Sequence, residues 1–225
     1  MRNYKFIVLE GIDNSGKTTI SKILAEKMNA ALISFPDRKS ESGKKLDEFL
    51  RNYREGIEEE IKNTKLTVEN KRNEIKNSYT NEIKNSYKNE INRKIHMLFS
   101  DNRREKAEFI EKTLEIKHVI CDRYWISGAV YSTAKGFDWN WCKETDKNLP
   151  EADYTFFLDV KAEEAMKRGG KSREAHDSYE FQSKVYSVYK ECGENMIPVK
   201  SGTIEEMVNE ILLKINRYNK NSNNE

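Results

Sequence analysis

Gly11-Ile12-Asp13-Asn14-Ser15-Gly16-Lys17-Thr18 matches the pattern G-x-x-x-x-G-K-[ST]. The chemistry of such a string is anion binding. Successive backbone N–H groups at a helix N-terminus converge on a phosphate, and the helix dipole adds to their pull. The glycines let the backbone curl, Lys17 brings a point charge to the terminal phosphates of a nucleotide, and Thr18 offers a hydroxyl to Mg²⁺. Asn14, Ser15 and Thr19 complete the cradle. A second acidic position suits the same chemistry. Asp122 closes the apolar run HVICD (118–122), as a Mg²⁺-side carboxylate does in phosphate-transfer sites, and Arg123 follows it. No NKxD-type guanine reader is present in suitable context, because Asn219-Lys220 lies in a polar tail. That argues against a GTPase.

These residues need elements to hold them. KFIVLE (5–10) is a short apolar run ending in a Gly turn, which predicts a buried strand leading into the phosphate loop. Ile20, Ile23, Leu24 and Met28 recur at helical spacing behind it. ALISF (31–35), HVICD (118–122), YTFFLDV (154–160) and the weaker MIPV (196–199) predict four more strands, and Pro198 suits an edge. Helices are expected over Ile95–Leu114, from Ala162, and over Thr203–Ile215, where Thr203 and Glu206 form a capping box. Strands alternating with helices imply an α/β fold with a mainly parallel sheet.

The 225 residues carry 40 Lys+Arg against 38 Asp+Glu, a net charge of +2. That balance gives no whole-protein reason to expect nucleic acid or a membrane as partner. No stretch reaches the roughly 18 apolar residues of a membrane span, and with no charged-then-apolar pattern before residue 5, no secretory or transit peptide is expected. Cys121, Cys142 and Cys192 are scattered and odd in number, which suits reduced thiols in the cytosol. Hydrophobic residues are only 36% of the chain, against roughly 45–50% in ordinary domains, and mean hydropathy is −0.89. The deficit is concentrated in 51–95, where NEIKNSY at 73–79 repeats at 81–87 and NEINRKI follows at 89–95. Ile75, Tyr79, Ile83, Tyr87, Ile91 and Ile95 fall four apart. Each such step drifts about 40° around a helix, so the stripe cannot stay on one flat partner. A solvated helix or helical hairpin is expected.

Five segments then line up in order: LEGIDNSGKTT (9–19), FPDRKSESGKKLDEFL (35–50), HMLFSDNRRE (96–105), DRYWISGAVY (122–131) and RGGKSREAHD (168–177). Together they resemble the thymidylate kinase family. The eukaryotic and poxviral members are the more similar, through Trp141-Cys142 and NLPEAD (148–153). The resemblance implies a P-loop nucleoside-monophosphate kinase fold, with a parallel five-stranded sheet and helices on both faces, and 51–94 as a helical insertion. It implies transfer of the γ-phosphoryl group of ATP to dTMP with Mg²⁺, held by Thr18 and Asp122. Arg38 and Arg123 would hold the acceptor phosphate. Phe35 and Phe99 would lie on the acceptor side, with Phe99 stacked on the base and Arg103 hydrogen-bonded to it. Asp13 would accept from the 3′-hydroxyl, Tyr131 would stand where a 2′-hydroxyl would clash, and Ser127 and Gly128 would let the acceptor approach the backbone.

This sequence also departs from the family. Asn14 stands where eukaryotic and viral members carry a basic residue. A cation must then come from the lid, where Arg173, with Lys171 as alternative and Arg168 nearby, is expected to face ATP. The family's lid Tyr-Glu pair falls on His176-Asp177 without gaps, placing His176 near the base; a one-turn shift would place Tyr179 there instead. The expected organisation is one kinase domain over 1–215, a lid at about 168–177 and a flexible tail over 216–225. A homodimer is usual for such kinases, though the insertion enters beside the dimerising helices. The expected location is the cytoplasm, with access to the nucleus. Two rivals remain: a kinase of the same fold for another pyrimidine monophosphate such as dUMP, and a weakly catalytic nucleotide-binding module whose insertion recruits a partner.

Overall fold

A computed structural model of the chain describes residues 3–68, 76–168, 179–193 and 195–222. FIVLE forms β1 (Phe6–Glu10) and is buried along its whole length, as a strand covered on both faces must be. With β2 (Ala31–Ser34), β3 (Val119–Asp122), β4 (Tyr154–Asp159) and β5 (Ile197–Lys200) it makes a five-stranded sheet in the order β2-β3-β1-β4-β5. Every neighbouring pair is parallel. All five apolar runs are strands, and Pro198 does lie in an edge strand.

The helices are α1 (Lys17–Lys27), α2 (Glu41–Val68), α3 (Lys76–Glu105), α4 (Ala107–Thr113), α5 (Trp125–Ala134), α6 (Trp139–Glu144), α7 (Ala162–Arg168), α8 (Tyr179–Cys192) and α9 (Ile204–Ser222). Two compact units are distinguished, one of residues up to Phe35 together with those from Arg103 onward, the other Pro36–Asn102.

The first unit holds the sheet. Side chains alternate across a strand, and the core divides accordingly. Ile7, Leu9 and Ile120 pack with Ile20 and Leu24 of α1 and with Met207 and Ile211 of α9. Phe6, Val8, Val119 and Cys121 pack with Ile110 of α4 and with Leu114, which follows it. Helices therefore cover both faces of the sheet. Cys121, Cys142 and Cys192 are free thiols, and no helix among the described residues is long and apolar enough to cross a membrane.

The capping box forms as expected: the Glu206 carboxylate accepts from Thr203 N at 2.8 Å, while Glu206 N donates to Thr203 Oγ1 at 3.2 Å. The helix it starts runs past Ile215 to Ser222. The single helix read over Ile95–Leu114 is interrupted at Lys106, whose N–H turns back to Arg103 O at 3.1 Å and closes a tighter turn between α3 and α4. α5 escaped the sequence reading because it is buried on most sides, from Ile126 to Ala134, and so has no polar face to mark its period.

In the second unit the polar stretch is helical up to Val68 and again from Lys76. Ile75 falls outside the described residues, as do the side chains of Tyr79 and Ile83. Farther along the stripe Tyr87 is 63% exposed, whereas Ile91 and Ile95 are buried. This is the drift that a four-residue spacing imposes. Leu46 is buried in α2, and the Lys94 ammonium lies 4.8 Å from the centre of the Phe49 ring.

Candidate active site

The phosphate loop joins β1 to α1. Gly16 caps α1 at φ +98° with no side-chain cap, and no acidic residue stands in the first turn. The helix N-terminus is thus left for an external anion. A Cβ on Gly16 would sit 3.0 Å from Ile204 Cδ1, in a conformation that side chains avoid. Asn14 is left-handed at φ +59°, which a short amide tolerates better than a long side chain does.

Lys17 is buried and folds back over the loop. Its ammonium donates to Ile12 O at 2.5 Å and to Ser15 Oγ at 3.1 Å. Burial, and then the nearby Arg123 guanidinium, lower its pKa to about 7. Thr18 Oγ1 donates to Asp122 Oδ2 at 2.6 Å. The sheet register sets this meeting, since Leu9 of β1 pairs with Asp122 of β3. The other oxygen, Asp122 Oδ1, is buried without a hydrogen-bond partner. A buried carboxylate oxygen with no donor, beside a hydroxyl, fits a hard divalent cation that takes one or two protein ligands and phosphate oxygens. Among the described residues no cluster of three His, Cys, Asp or Glu side chains offers a fuller protein cage.

Arg123 sits at φ +67°, left-handed although it is not glycine. The turn aims its guanidinium into the loop. Nη1 donates to Gly11 O at 3.0 Å and to Ser127 Oγ at 3.1 Å, Nη2 pairs with Asp13 Oδ1, and the guanidinium lies 5.3 Å from the centre of the Tyr131 ring. Gln182 Nε2 donates to Asp13 Oδ2 at 2.8 Å, and Asp13 N donates to Gln182 Oε1 at 3.1 Å. Burial pushes the Asp13 carboxyl up, but the Arg123 and Lys17 charges, with hydrogen bonding that includes Gln182, hold its pKa below the ordinary value. The Tyr131 hydroxyl is buried without a hydrogen bond of ordinary length, and burial raises its pKa.

Glu10 is the unforeseen member. It is fully buried at the end of β1 and accepts from Tyr124 N at 2.9 Å, Ser127 N at 3.2 Å, Ser127 Oγ, and Tyr189 Oη at 3.0 Å. Tyr124 precedes α5 without a side-chain cap of its own. Glu10 therefore caps α5 from another element and fixes the turn that carries Arg123. The one signal for it in the sequence is an acid ending an otherwise apolar run. Nothing in the sequence announces Tyr189.

A cavity of about 750 Å³ is lined by phosphate-loop residues, Arg123, Arg168 and the Gly202–Ile204 turn. Arg168 ends α7 and is tied to Glu164, to Gly202 O at 2.8 Å and to Ser15 O at 3.4 Å. Lys171, Arg173 and His176 lie outside the described residues. Phe35 is a core residue, its ring 5.8 Å from that of Tyr124. Arg103 is buried against Asp146.

In the other unit, Arg38 pairs with Asp47, and Phe99 is half-buried on α3. Asn102 is fully buried there. Its Oδ1 accepts from Asp37 N at 2.7 Å, and its Nδ2 donates to Asp37 O, Ser40 Oγ and Ser42 Oγ at 2.9–3.2 Å. It clamps the turn that carries Arg38. Asn102→Ala is expected to destabilise the protein by about 1–3 kcal/mol, the cost of stranding buried polar groups. Urea unfolding measures this, and a midpoint equal to the wild type's would disprove the clamp.

A strand, an anion loop opening an uncapped helix, and a carboxylate at the end of the neighbouring parallel strand define a P-loop phosphotransfer fold. The sequence model of thymidylate kinase matches residues 9–86 and 54–211, two segments that overlap in the polar stretch. The chain is 34% identical to thymidylate kinase of Schizosaccharomyces pombe, over 80% of this chain and 73% of that protein. It is 32% identical to human thymidylate kinase, over 81% and 74%. The structure of thymidylate kinase from Candida albicans superposes with a TM-score of 0.70 at 28% identity, covering 97% of this chain and 93% of that one. The chain belongs to the thymidylate kinase family.

Proposed function

We propose that this protein transfers the γ-phosphoryl group of ATP to dTMP, giving ADP and dTDP. The observation that carries the reading is the Arg123–Asp13 pair set inside an uncapped phosphate loop. It provides cationic and anionic groups for a phosphorylated nucleotide beside the triphosphate cradle. A phosphate oxygen of dTMP attacks the γ-phosphorus, the bond to the β-phosphate oxygen breaks, and ADP leaves with that electron pair. The protein's work is positioning and charge neutralisation.

Lys17, the loop N–H groups and Asn14, Ser15, Gly16 and Thr19 hold the donor phosphates. Thr18 and Asp122 would hold Mg²⁺, which neutralises charge on the β- and γ-phosphates when bound. Arg123 and Arg38 hold the acceptor phosphate, and Asp13 accepts from the 3′-hydroxyl beside Tyr131. Phe99 stacks on the base, Arg103 donates to it, and Ser127 and Gly128 bound its approach. Arg173, Lys171 or Arg168 closes on ATP, and His176 faces the base. Residues 1–215 act as one kinase domain, in the cytoplasm and as a homodimer.

ADP release measured with dTMP, dUMP, dCMP, dGMP and AMP tests the reading. dTMP is expected to lead. Turnover led by a ribonucleotide would overturn the acceptor assignment, and no turnover with any of them would favour a binding module.

The depressed pKa of Lys17 adds a pH prediction. At pH 8 the nucleotide-free side chain is mostly neutral, since its pKa is about 7. Anionic phosphates favour its charged form, so nucleotide binding takes up a proton, and affinity falls as pH rises above about 7. Calorimetric titration with ATP at pH 8, in buffers of different ionisation enthalpy, is expected to show uptake approaching one proton in wild type and less in Lys17→Met. Equal uptake in both would exclude Lys17 as the source.

A further inference from the structure

We propose that Asp146 is the positioning residue for base recognition, because it fixes the buried Arg103 guanidinium so that one edge is presented to a 2,4-dioxopyrimidine. The inference rests on the kinase reading above and names the group behind its specificity.

Arg103 and Asp146 are buried, with side chains 2% and 0% exposed. Their contact is bidentate, Nε to Oδ1 at 3.2 Å and Nη2 to Oδ2 at 2.6 Å. The opposite constraint comes from Gly128 of α5, where a Cβ would stand 2.7 Å from Nη2, 3.0 Å from Nη1 and 3.1 Å from Cζ. The guanidinium is thus pinned between a carboxylate and a bare backbone. Nη1 is left without an acceptor among the described residues.

The carboxylate is itself held in place. Asp138 caps α6 through Trp141 N at 2.8 Å. Asp146 N donates to Lys143 O at 3.1 Å, and Tyr124 Oη secures Pro150 O at 3.2 Å. Burying such a pair is weak evidence for stability, because desolvation offsets the attraction. A planar cation held in one orientation instead suits recognition. An arginine edge carries only donors. It fits the carbonyl oxygens of thymine or uracil and strands its N–H against the amino group of cytosine.

The test compares wild type, Asp146→Asn, Arg103→Lys, Arg103→Met and the Asp146→Asn/Arg103→Met double variant. It measures dTMP affinity by calorimetry and KM for dTMP and ATP by turnover. Asp146→Asn is expected to weaken dTMP binding and raise its KM about tenfold, a loss of roughly one hydrogen bond to a charged group. KM for ATP should stay within about twofold, and the preference for dTMP over dCMP should narrow. In the Arg103→Met background the Asn substitution should add nothing further. Equal factors in both backgrounds, or parallel losses for dTMP and ATP, would overturn the proposal as a merely structural effect. Arg103→Lys keeps a cation without the bidentate edge, and it reads the same question if Asp146→Asn does not fold. Wild-type dTMP affinity in Arg103→Lys would overturn the proposal. The calorimetry separates the two readings: a wild type that binds dTMP without turnover refutes the kinase assignment, whereas unchanged binding in Asp146→Asn refutes the role of Asp146.

Discussion

Lys17→Met is expected to lower kcat for phosphoryl transfer by on the order of 10²–10³-fold, the range for removing one preorganised group aimed at developing charge. Lys17 is the one cation within the loop segment 11–18 itself; Arg123 and Arg168 reach the cavity from other elements. Arg123 and Arg168 are already committed to Asp13 and Glu164 by ion pairs. The same change has the opposite character for stability. Wild-type Lys17 is buried with a pKa near 7 rather than its ordinary 10.5, so between those values the unfolded chain holds a proton that the folded chain releases. Stability then rises with pH across that window. The nucleotide-free wild type should gain on Lys17→Met as pH goes from 7 to 9. Thermal melting of both proteins at the two pH values, set beside single-turnover kinetics, checks both halves. A variant with more than about a tenth of wild-type kcat would exclude Lys17 from the transfer step, on the scale of such deletions.

Arg123 carries the second large effect. Its guanidinium meets Gly11 O, Ser127 Oγ and Asp13 within the phosphate loop. Its removal is expected to cost about 10²–10³-fold in kcat/KM for dTMP, and it leaves the half-buried Asp13 without its ion-pair partner. The backbone makes a separate prediction. Position 123 is at φ +67°, a conformation that costs roughly 1–2 kcal/mol for a residue with a Cβ. Arg123→Gly and Arg123→Ala should therefore be equally inactive, with the glycine variant the more stable by about that amount. Chemical denaturation and initial rates separate the two contributions. An alanine variant as stable as the glycine variant would mean that the turn is not strained, and retained activity would remove Arg123 from the site.

The phosphate loop and the five strands were legible because each is a local signal. FIVLE is apolar on both faces, and G-x-x-x-x-G-K-[ST] places its glycines, lysine and threonine at fixed offsets within one turn. The capping box of α9 is equally local, spanning Thr203 to Glu206. The helices that failed to show were those without contrast, as α5 is, or those set by distant partners. Glu10 reads as a polar residue ending a strand until Tyr124, Ser127 and Tyr189 arrive to satisfy it. Arg103 reads as a base contact, and the structure adds the carboxylate that orients it.

The sequence by itself determined the chemistry on offer: an anion cradle, a strand-end carboxylate and a set of arginines in the order of one kinase family. It also located the polar excess in a repeated helical stretch. Only the tertiary structure decided the partnerships. Thr18 meets Asp122 because β1 and β3 pair in one register, and Asp13 meets Arg123 and Gln182 across more than a hundred residues of chain. The physical reason is range. Periodicity and turn chemistry act over a few residues, whereas a buried charge must find its counter-charge or donors wherever the fold supplies them, since leaving it unpaired costs more than the fold can spare.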